Sequence, residues 1–282
     1  MRTVWVGWLA GLLAVGAEGL AAEVTRVPFE DPTLLKVVGY SYRLDGPIGP
    51  GDTERLARLF GTDAADPGSA VTALAPARGL IGALDLELNS PGGETEEAMR
   101  LGRWLRRNRG GATVKSGELC ASACVLVLAG AVRRTTPGAV VVHRPYLGSA
   151  TPAQARQAWL DLDASIRRYL ARMNVPVGLA DLALEEPPEG GRVLTRKEKR
   201  RFLLDGWDPA AEEEQIATLA SLYGVTSGEY RRRWQATETL CGSEDLLERQ
   251  IFTLDLNPGA PDRAEKVRSA WRDCRWKAMG EP

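Results

Sequence analysis

Residues Leu80–Arg107 read LIGALDLELNSPGGETEEAMRLGRWLRR, an apolar run, a tight turn and an amphipathic stretch in direct succession. Leu80–Leu88 has the length and composition of a strand, and it stops at Asn89-Ser90-Pro91-Gly92-Gly93, where turn residues accumulate. Thr95–Arg107 then reads as a helix with Ala98, Leu101, Trp104 and Leu105 on its apolar side. Upstream, Val37–Leu44 reads as a strand. Gly49-Pro50-Gly51-Asp52 reads as a turn, with Asp52 or Thr53 capping a helix through Leu59. A Gly/Ala/Asp/Pro-rich loop runs on to about Arg78. Downstream, Ala112–Lys115 is a short strand, Ala123–Ala131 a buried helix, and Gly138–Val142 an apolar strand that delivers His143. Thr151–Met173 and Leu179–Leu184 read as helices, Glu185–Gly191 as a loop and Arg192–Thr195 as a short strand. Strand and helix alternate, which predicts an α/β domain. Beyond Gly206 the composition shifts to charged helix with Trp and Cys, a helical extension over residues 207–282.

The chain has 282 residues, 44% apolar and 26% charged, which is the range of ordinary globular proteins. With 36 basic and 37 acidic residues the formal charge is -1, so no overall attraction to nucleic acid is expected. The basic runs Arg196–Arg201 (RKEKRR) and Arg231-Arg232-Arg233-Trp234 read as solvated helix faces. Trp207, Trp234, Trp271 and Trp276 read as packing residues of the extension, with a peptide-binding surface as the alternative. There is one histidine. Mechanisms needing two imidazoles, His-rich zinc sites among them, are ruled out, and no metal or other cofactor is expected.

Met1-Arg2 is followed by an uncharged apolar run through Ala17, then small residues. This is the pattern of a secretory signal peptide over residues 1–22, cleaved after Ala17, Ala21 or Ala22. The alternatives are a buried N-terminal helix or an uncleaved anchor, which would be the chain's only reason to meet a membrane. Export predicts a periplasmic or secreted protein in an oxidising compartment, where Cys120, Cys124, Cys241 and Cys274 read as disulfide candidates. Cys241 with Cys274 would tie the C-terminal region together; Cys120 and Cys124 stay open.

Three features in the α/β part bear on chemistry. Ser90-Pro91-Gly92-Gly93 between strand and helix can hold backbone N–H groups open for an oxyanion, or can be only a tight turn. Ser122, within Cys120-Ala121-Ser122-Ala123-Cys124, stands at the start of the buried helix as either an N-cap or a nucleophile. His143 ends an apolar strand 21 residues later, and active sites of parallel α/β sheets gather beyond the carboxyl ends of strands.

Gly46-Pro47-Ile48, Leu88-Asn89-Ser90-Pro91-Gly92-Gly93, Ala121-Ser122-Ala123 and Val142-His143-Arg144-Pro145 together resemble, in order and spacing, the ClpP family of serine peptidases in the ClpP/crotonase superfamily. The resemblance covers roughly Val37 to Asp205. It implies a spiral of ββα units over residues 23–206, with Ser122 as nucleophile, His143 as general base and the N–H groups of Gly93 and Ala123 as oxyanion hole. It also implies a peptide or protein substrate and a homo-oligomer. The exported setting is more similar to a periplasmic branch than to the cytosolic, unfoldase-coupled enzymes.

One position departs from the pattern: Gly191 stands where the family has its third residue, an Asp. Glu189 is the replacement expected to orient His143, with Glu186 and Asp205 as further candidates. A Ser/Lys mechanism through Lys115 would leave His143 without a role. The chain is therefore expected to be an exported serine hydrolase working through an acyl-enzyme. The alternative is a catalytically inactive ClpP-fold binding or assembly protein. A crotonase-type acyl-CoA enzyme ranks third, since export takes the chain away from CoA.

Overall fold

In the computed structural model the described residues are 22–30, 38–65, 84–146, 152–187, 190–242 and 261–280. The expected signal segment and Glu189 lie outside them, apart from Ala22.

The fold is mixed α/β, as the alternation predicts. A six-stranded sheet runs in the order β1-β2-β3-β4-β6-β9, with β1 (Glu23–Glu30), β2 (Val38–Asp45), β3 (Asp85–Asn89), β4 (Gly111–Thr113), β6 (Arg133–Thr135) and β9 (Gly206–Trp207). The four central strands pair in parallel, and the edge strands β1 and β9 are antiparallel to their neighbours. A second sheet holds β5 (Leu119–Ala121), β7 (Ala139–Val142) and β8 (Arg192–Val193), with β5 and β7 parallel. A parallel bridge between Ser90 and Cys120 joins the sheets at the carboxyl end of β3.

The helices are α1 (Asp52–Ala65), α2 (Thr95–Arg107), α3 (Cys124–Gly130), α4 (Pro152–Arg172), α5 (Gly178–Glu185) and α6 (Arg196–Arg201), followed by α7 (Pro209–Leu222), α8 (Ser227–Cys241) and α9 (Pro261–Met279). All seven residues of α3 are buried, as its unbroken apolar run requires. Ala98, Leu101 and Leu105 of α2 are fully buried against the sheet, and Trp104 packs beside them. No helix among the described residues is long and apolar enough to cross a membrane.

Several expectations need correction. α1 runs to Ala65 rather than ending at Leu59, because Phe60 makes edge-on contacts with Tyr42 at 6.1 Å and Trp104 at 5.7 Å. β1, β5, β6 and β9 were not expected; three of them have only two or three residues and show no readable period. The 196–201 run is not wholly solvated. Lys199 is buried and donates through Nζ to the carbonyls of Thr136 and, at 3.0 Å, Gly138. Burial holds its ammonium below the usual lysine range. Trp276 is half exposed rather than packed inside, whereas Trp234 and Trp271 take the Arg275 guanidinium at 3.8 and 4.3 Å from their ring centres.

Both cysteine pairs are bonded, Cys120 to Cys124 and Cys241 to Cys274. The second joins α8 to α9 as expected, and two disulfides are compatible with an oxidising compartment. The step from β9 into α7 is anchored by Asp208, which is buried. Its Oδ1 caps α7 through the amides of Ala210 and Ala211, both at 3.1 Å. Its Oδ2 accepts from both terminal nitrogens of Arg106 at 3.0 Å and from Asn174 at 3.0 Å. Arg134, fully buried beside it, donates to the carbonyls of Leu203, Ala129 and Met173. Burial lowers the Arg134 pKa to about 10, which still leaves it charged at neutral pH.

Candidate active site

Strand register brings the site together. β5 and β7 pair as Leu119↔Ala139, Cys120↔Val140 and Ala121↔Val141, so the residues that follow, Ser122 and Val142-His143, leave the same end of adjacent parallel strands. The Ser90↔Cys120 bridge, with Ser90 N–H donating to Leu119 O at 2.7 Å and Ala121 N–H to Ser90 O at 2.9 Å, adds the Pro91-Gly92-Gly93 turn to that end. Three strand termini thus converge, the place where open α/β sheets put their chemistry.

Ser122 is not an N-cap. The cap position of α3 is Ala123, without a side-chain capping bond, and Ser122 sits at φ 54° in the left-handed region. For a residue with a Cβ this conformation costs roughly 1–2 kcal/mol. The Ser122 N–H donates to Val141 O at 2.9 Å, its carbonyl accepts from Val125 N–H at 3.0 Å, and its hydroxyl makes no hydrogen bond among the described residues. A sharp strand-to-helix turn that presents an unengaged hydroxyl is the form a nucleophile takes.

Gly92 and Gly93 are required as glycines. At φ 104°, a Cβ on Gly92 would stand 2.7 Å from Ser122 Cβ and 2.8 Å from Ala121 O; at φ 141°, one on Gly93 would stand 2.1 Å from Ile48 O. Gly92 O accepts from Ile48 N–H at 2.7 Å, and Ile48 O accepts from Glu94 N–H at 2.9 Å. Because the Gly92–Gly93 peptide is trans, the Gly93 N–H points away from Ile48. Among the described residues neither the Gly93 nor the Ala123 N–H has a partner.

Gly93, Ser122, Ala123 and His143 line one cavity of about 270 Å³. Its far wall is apolar, with Leu126 from α3, Trp159, Ile166 and Leu170 from α4, and Leu179 and Ala183 from α5. Buried Tyr169 holds α4 to α3 through its hydroxyl on Leu126 O at 2.7 Å, and burial raises its pKa well above the usual tyrosine value. Sequence reasoning missed Asp163, which also lines the cavity and pairs with Arg167 at 2.8 Å, while Arg167 pairs with Asp181 of α5 at 2.7 Å. The spacing of Trp159, Asp163, Ile166 and Leu170 on one face of α4 is the signal that could have found it.

Ser122 and His143 share the cavity without a hydrogen bond between them among the described residues. His143 Nδ1 lies 2.9 Å from the Arg144 carbonyl. A carbonyl only accepts, so Nδ1 carries the hydrogen of this bond and Nε2 of the neutral ring is the free lone pair. The Arg144 N–H in turn donates to Glu186 O at 3.0 Å, which fixes the loop against α5.

Of the other expected orienters, Asp205 is engaged elsewhere: its Oδ1 accepts from Thr136 N–H at 3.1 Å and Thr136 Oγ1 at 3.0 Å. Lys115 pairs with Glu87 at 2.6 Å. Gly191 has φ 153°, and a Cβ there would meet Val141 Cγ1 at 2.8 Å. An aspartate there would have to displace the Val141 side chain and adopt a φ that residues with a Cβ rarely take.

No protein family and no curated protein matches the chain. Among solved structures, a ClpP1 mutant from Listeria monocytogenes is similar over 61% of this chain and 93% of that chain, at 12% identity and a TM-score of 0.42.

Proposed function

We propose that the chain is an exported serine hydrolase with a ClpP-like spiral domain over residues 23–206 and a helical appendage over residues 207–282. In this reading it acts on peptide or protein substrates as a homo-oligomer. The observation that carries this is the convergence of three strand ends on one cavity. Ser122 stands there in a left-handed turn with an unengaged hydroxyl, beside a histidine whose Nε2 is left as acceptor.

In the reaction, His143 Nε2 takes the Ser122 proton as Oγ attacks the substrate carbonyl carbon. The tetrahedral oxyanion accepts from the N–H groups of Gly93 and Ala123. The imidazolium returns its proton to the leaving amine, and water, deprotonated by the same nitrogen, hydrolyses the acyl-enzyme and regenerates Ser122. The apolar wall of Leu126, Ile166, Leu170 and Leu179 receives an apolar side chain of the substrate. The Arg144 carbonyl sets the histidine tautomer, the role first expected of Glu189.

The second reading, a non-catalytic binding protein on the same fold, draws on the missing Ser122–His143 hydrogen bond. Catalytic hydrogen bonds are often long before substrate arrives. A fluorophosphonate probe decides between the two. Labelling that disappears in Ser122→Ala and His143→Ala supports the enzyme. Folded, oxidised protein that stays unlabelled between about pH 6 and 9, where a histidine base is competent, supports the binding protein.

A further inference from the structure

We infer that the Cys120–Cys124 disulfide is a positioning device for Ser122, locking the turn that carries the nucleophile. This rests on the reading of Ser122 as nucleophile. The bond joins the middle of β5 to the first residue of α3 and closes a five-residue loop centred on Ser122. Within it the chain reverses from strand to helix through two residues, Ser122 and Ala123, and the first of them is left-handed. A glycine would accept that conformation without strain, but a glycine has no hydroxyl to attack with. The conformation must therefore be imposed from outside Ser122.

Two non-covalent restraints are in place: the Ser122 N–H on Val141 O at 2.9 Å, and the bare Cα of Gly92 against Ser122 Cβ. The disulfide is the covalent third. Both cysteines are fully buried and neither lines the cavity, so the bond sits beneath the turn and touches no substrate. The same link holds Ala123, whose N–H has no partner among the described residues, at a fixed distance from the end of β5. The cysteines flanking the serine thus belong to the catalytic reading.

The test compares wild-type protein with Cys120→Ala/Cys124→Ala and with Cys241→Ala/Cys274→Ala as the control pair. Fluorophosphonate labelling of Ser122 is timed, and amide hydrogen exchange is followed by peptide mass spectrometry. The first double variant is expected to label at least tenfold more slowly. Its exchange should rise at least tenfold over residues 121–125 and stay unchanged in α2, whereas the control pair should match wild type in all three. Unchanged labelling and unchanged exchange at 121–125 overturn the inference. If wild type itself does not label, the hydrolase reading fails, and exchange at 121–125 alone still decides whether the bond holds the turn.

Should the first variant not fold, wild-type protein is titrated with a water-soluble phosphine and its thiols are mapped by alkylation. Each reduction delivers an electron pair and two protons to give two thiols, and the phosphine leaves as its oxide with oxygen from water. Labelling is then expected to track the Cys120–Cys124 pair and not Cys241–Cys274. Labelling indifferent to the state of the first pair overturns the inference.

Discussion

The amide of Ser122 donates to the carbonyl of Val141 at 2.9 Å, and this bond ties the start of the α3 turn to the strand that leads into His143. The two residues of the proposed pair are therefore placed by backbone register and not by side-chain contacts. Their relative backbone position does not depend on how either side chain turns.

Backbone placement makes the glycines opposite the turn decisive. In Gly92→Ala the new Cβ meets Ser122 Cβ and Ala121 O inside 3 Å at a positive φ, and neither neighbour is the end of a flexible chain. The expected outcome is a loss of about 1–3 kcal/mol of stability, the usual effect of overpacking, together with loss of Ser122 labelling. Chemical denaturation and probe labelling of the same preparation check it. Wild-type labelling in a fully folded variant would show that the turn can open without consequence.

In the proposed reaction His143 needs an orienter, and the Arg144 carbonyl lies 2.9 Å from its Nδ1. Glu189→Gln is accordingly expected to change the acylation rate less than about threefold, against roughly 10⁴ for a carboxylate that orients the base. A hundredfold loss would return Glu189 to the site. Gly191→Asp, which restores the residue type of the ClpP pattern, is expected to lower Tm and not to raise activity, since its Cβ would overlap Val141 Cγ1. Thermal melts and labelling rates of both variants separate the two acids from the carbonyl.

The strand–turn–helix order around Asn89–Gly93 was legible from local period and turn chemistry, and the buried helix after Ser122 from its unbroken apolar run. β5 and β9, three and two residues long, had no period to read, yet β5 is the strand that positions Ser122. The burial of Lys199 depends on carbonyls of Thr136 and Gly138 about sixty residues away, and no local pattern encodes that. The Cys241–Cys274 bond was expected because it ties the C-terminal region together, and it is found. The Cys120–Cys124 bond was not, because four residues apart fits both a free helical turn and a bond.

The close crossing of α2 and α3 was equally hidden. A Cβ on Gly130 would lie 2.3 Å from the carbonyl oxygen and 2.4 Å from the Cα of Gly102, so the two helices touch backbone to backbone. Gly130→Ala has to push the helices apart, and α3 carries the Ser122 turn with it. A destabilisation of about 1–3 kcal/mol is expected, with slowed labelling at temperatures where the variant is fully folded. Urea titration with labelling at matched folded fraction checks it. Labelling at the wild-type rate would mean that α3 moves as a unit without disturbing the turn.

Asp208 is the buried carboxylate from which an acid-dependent loss of stability is expected. Burial pushes its carboxyl up, but the Ala211 amide, the Arg106 guanidinium and the Asn174 amide together outweigh burial and leave it below the usual aspartate range. A carboxylate held down in the folded state contributes stability that is complete above its unfolded value of about 3.9 and is lost as pH falls through the folded value. Asp208→Asn removes the charge that compensates Arg106 and the fully buried Arg134, and breaking a buried pair from one side costs about 3–5 kcal/mol. Between pH 5 and 8 the Tm of the variant is therefore expected to lie below wild type by a constant amount. The gap should narrow only below about pH 4, where the unfolded chain begins to bind the proton that folded Asp208 still resists. Paired melts at unit pH steps from 3 to 8 check this. A gap that closes already between pH 5 and 7 would mean that Asp208 is not held in its charged form, and that another group governs the acid stability of the fold.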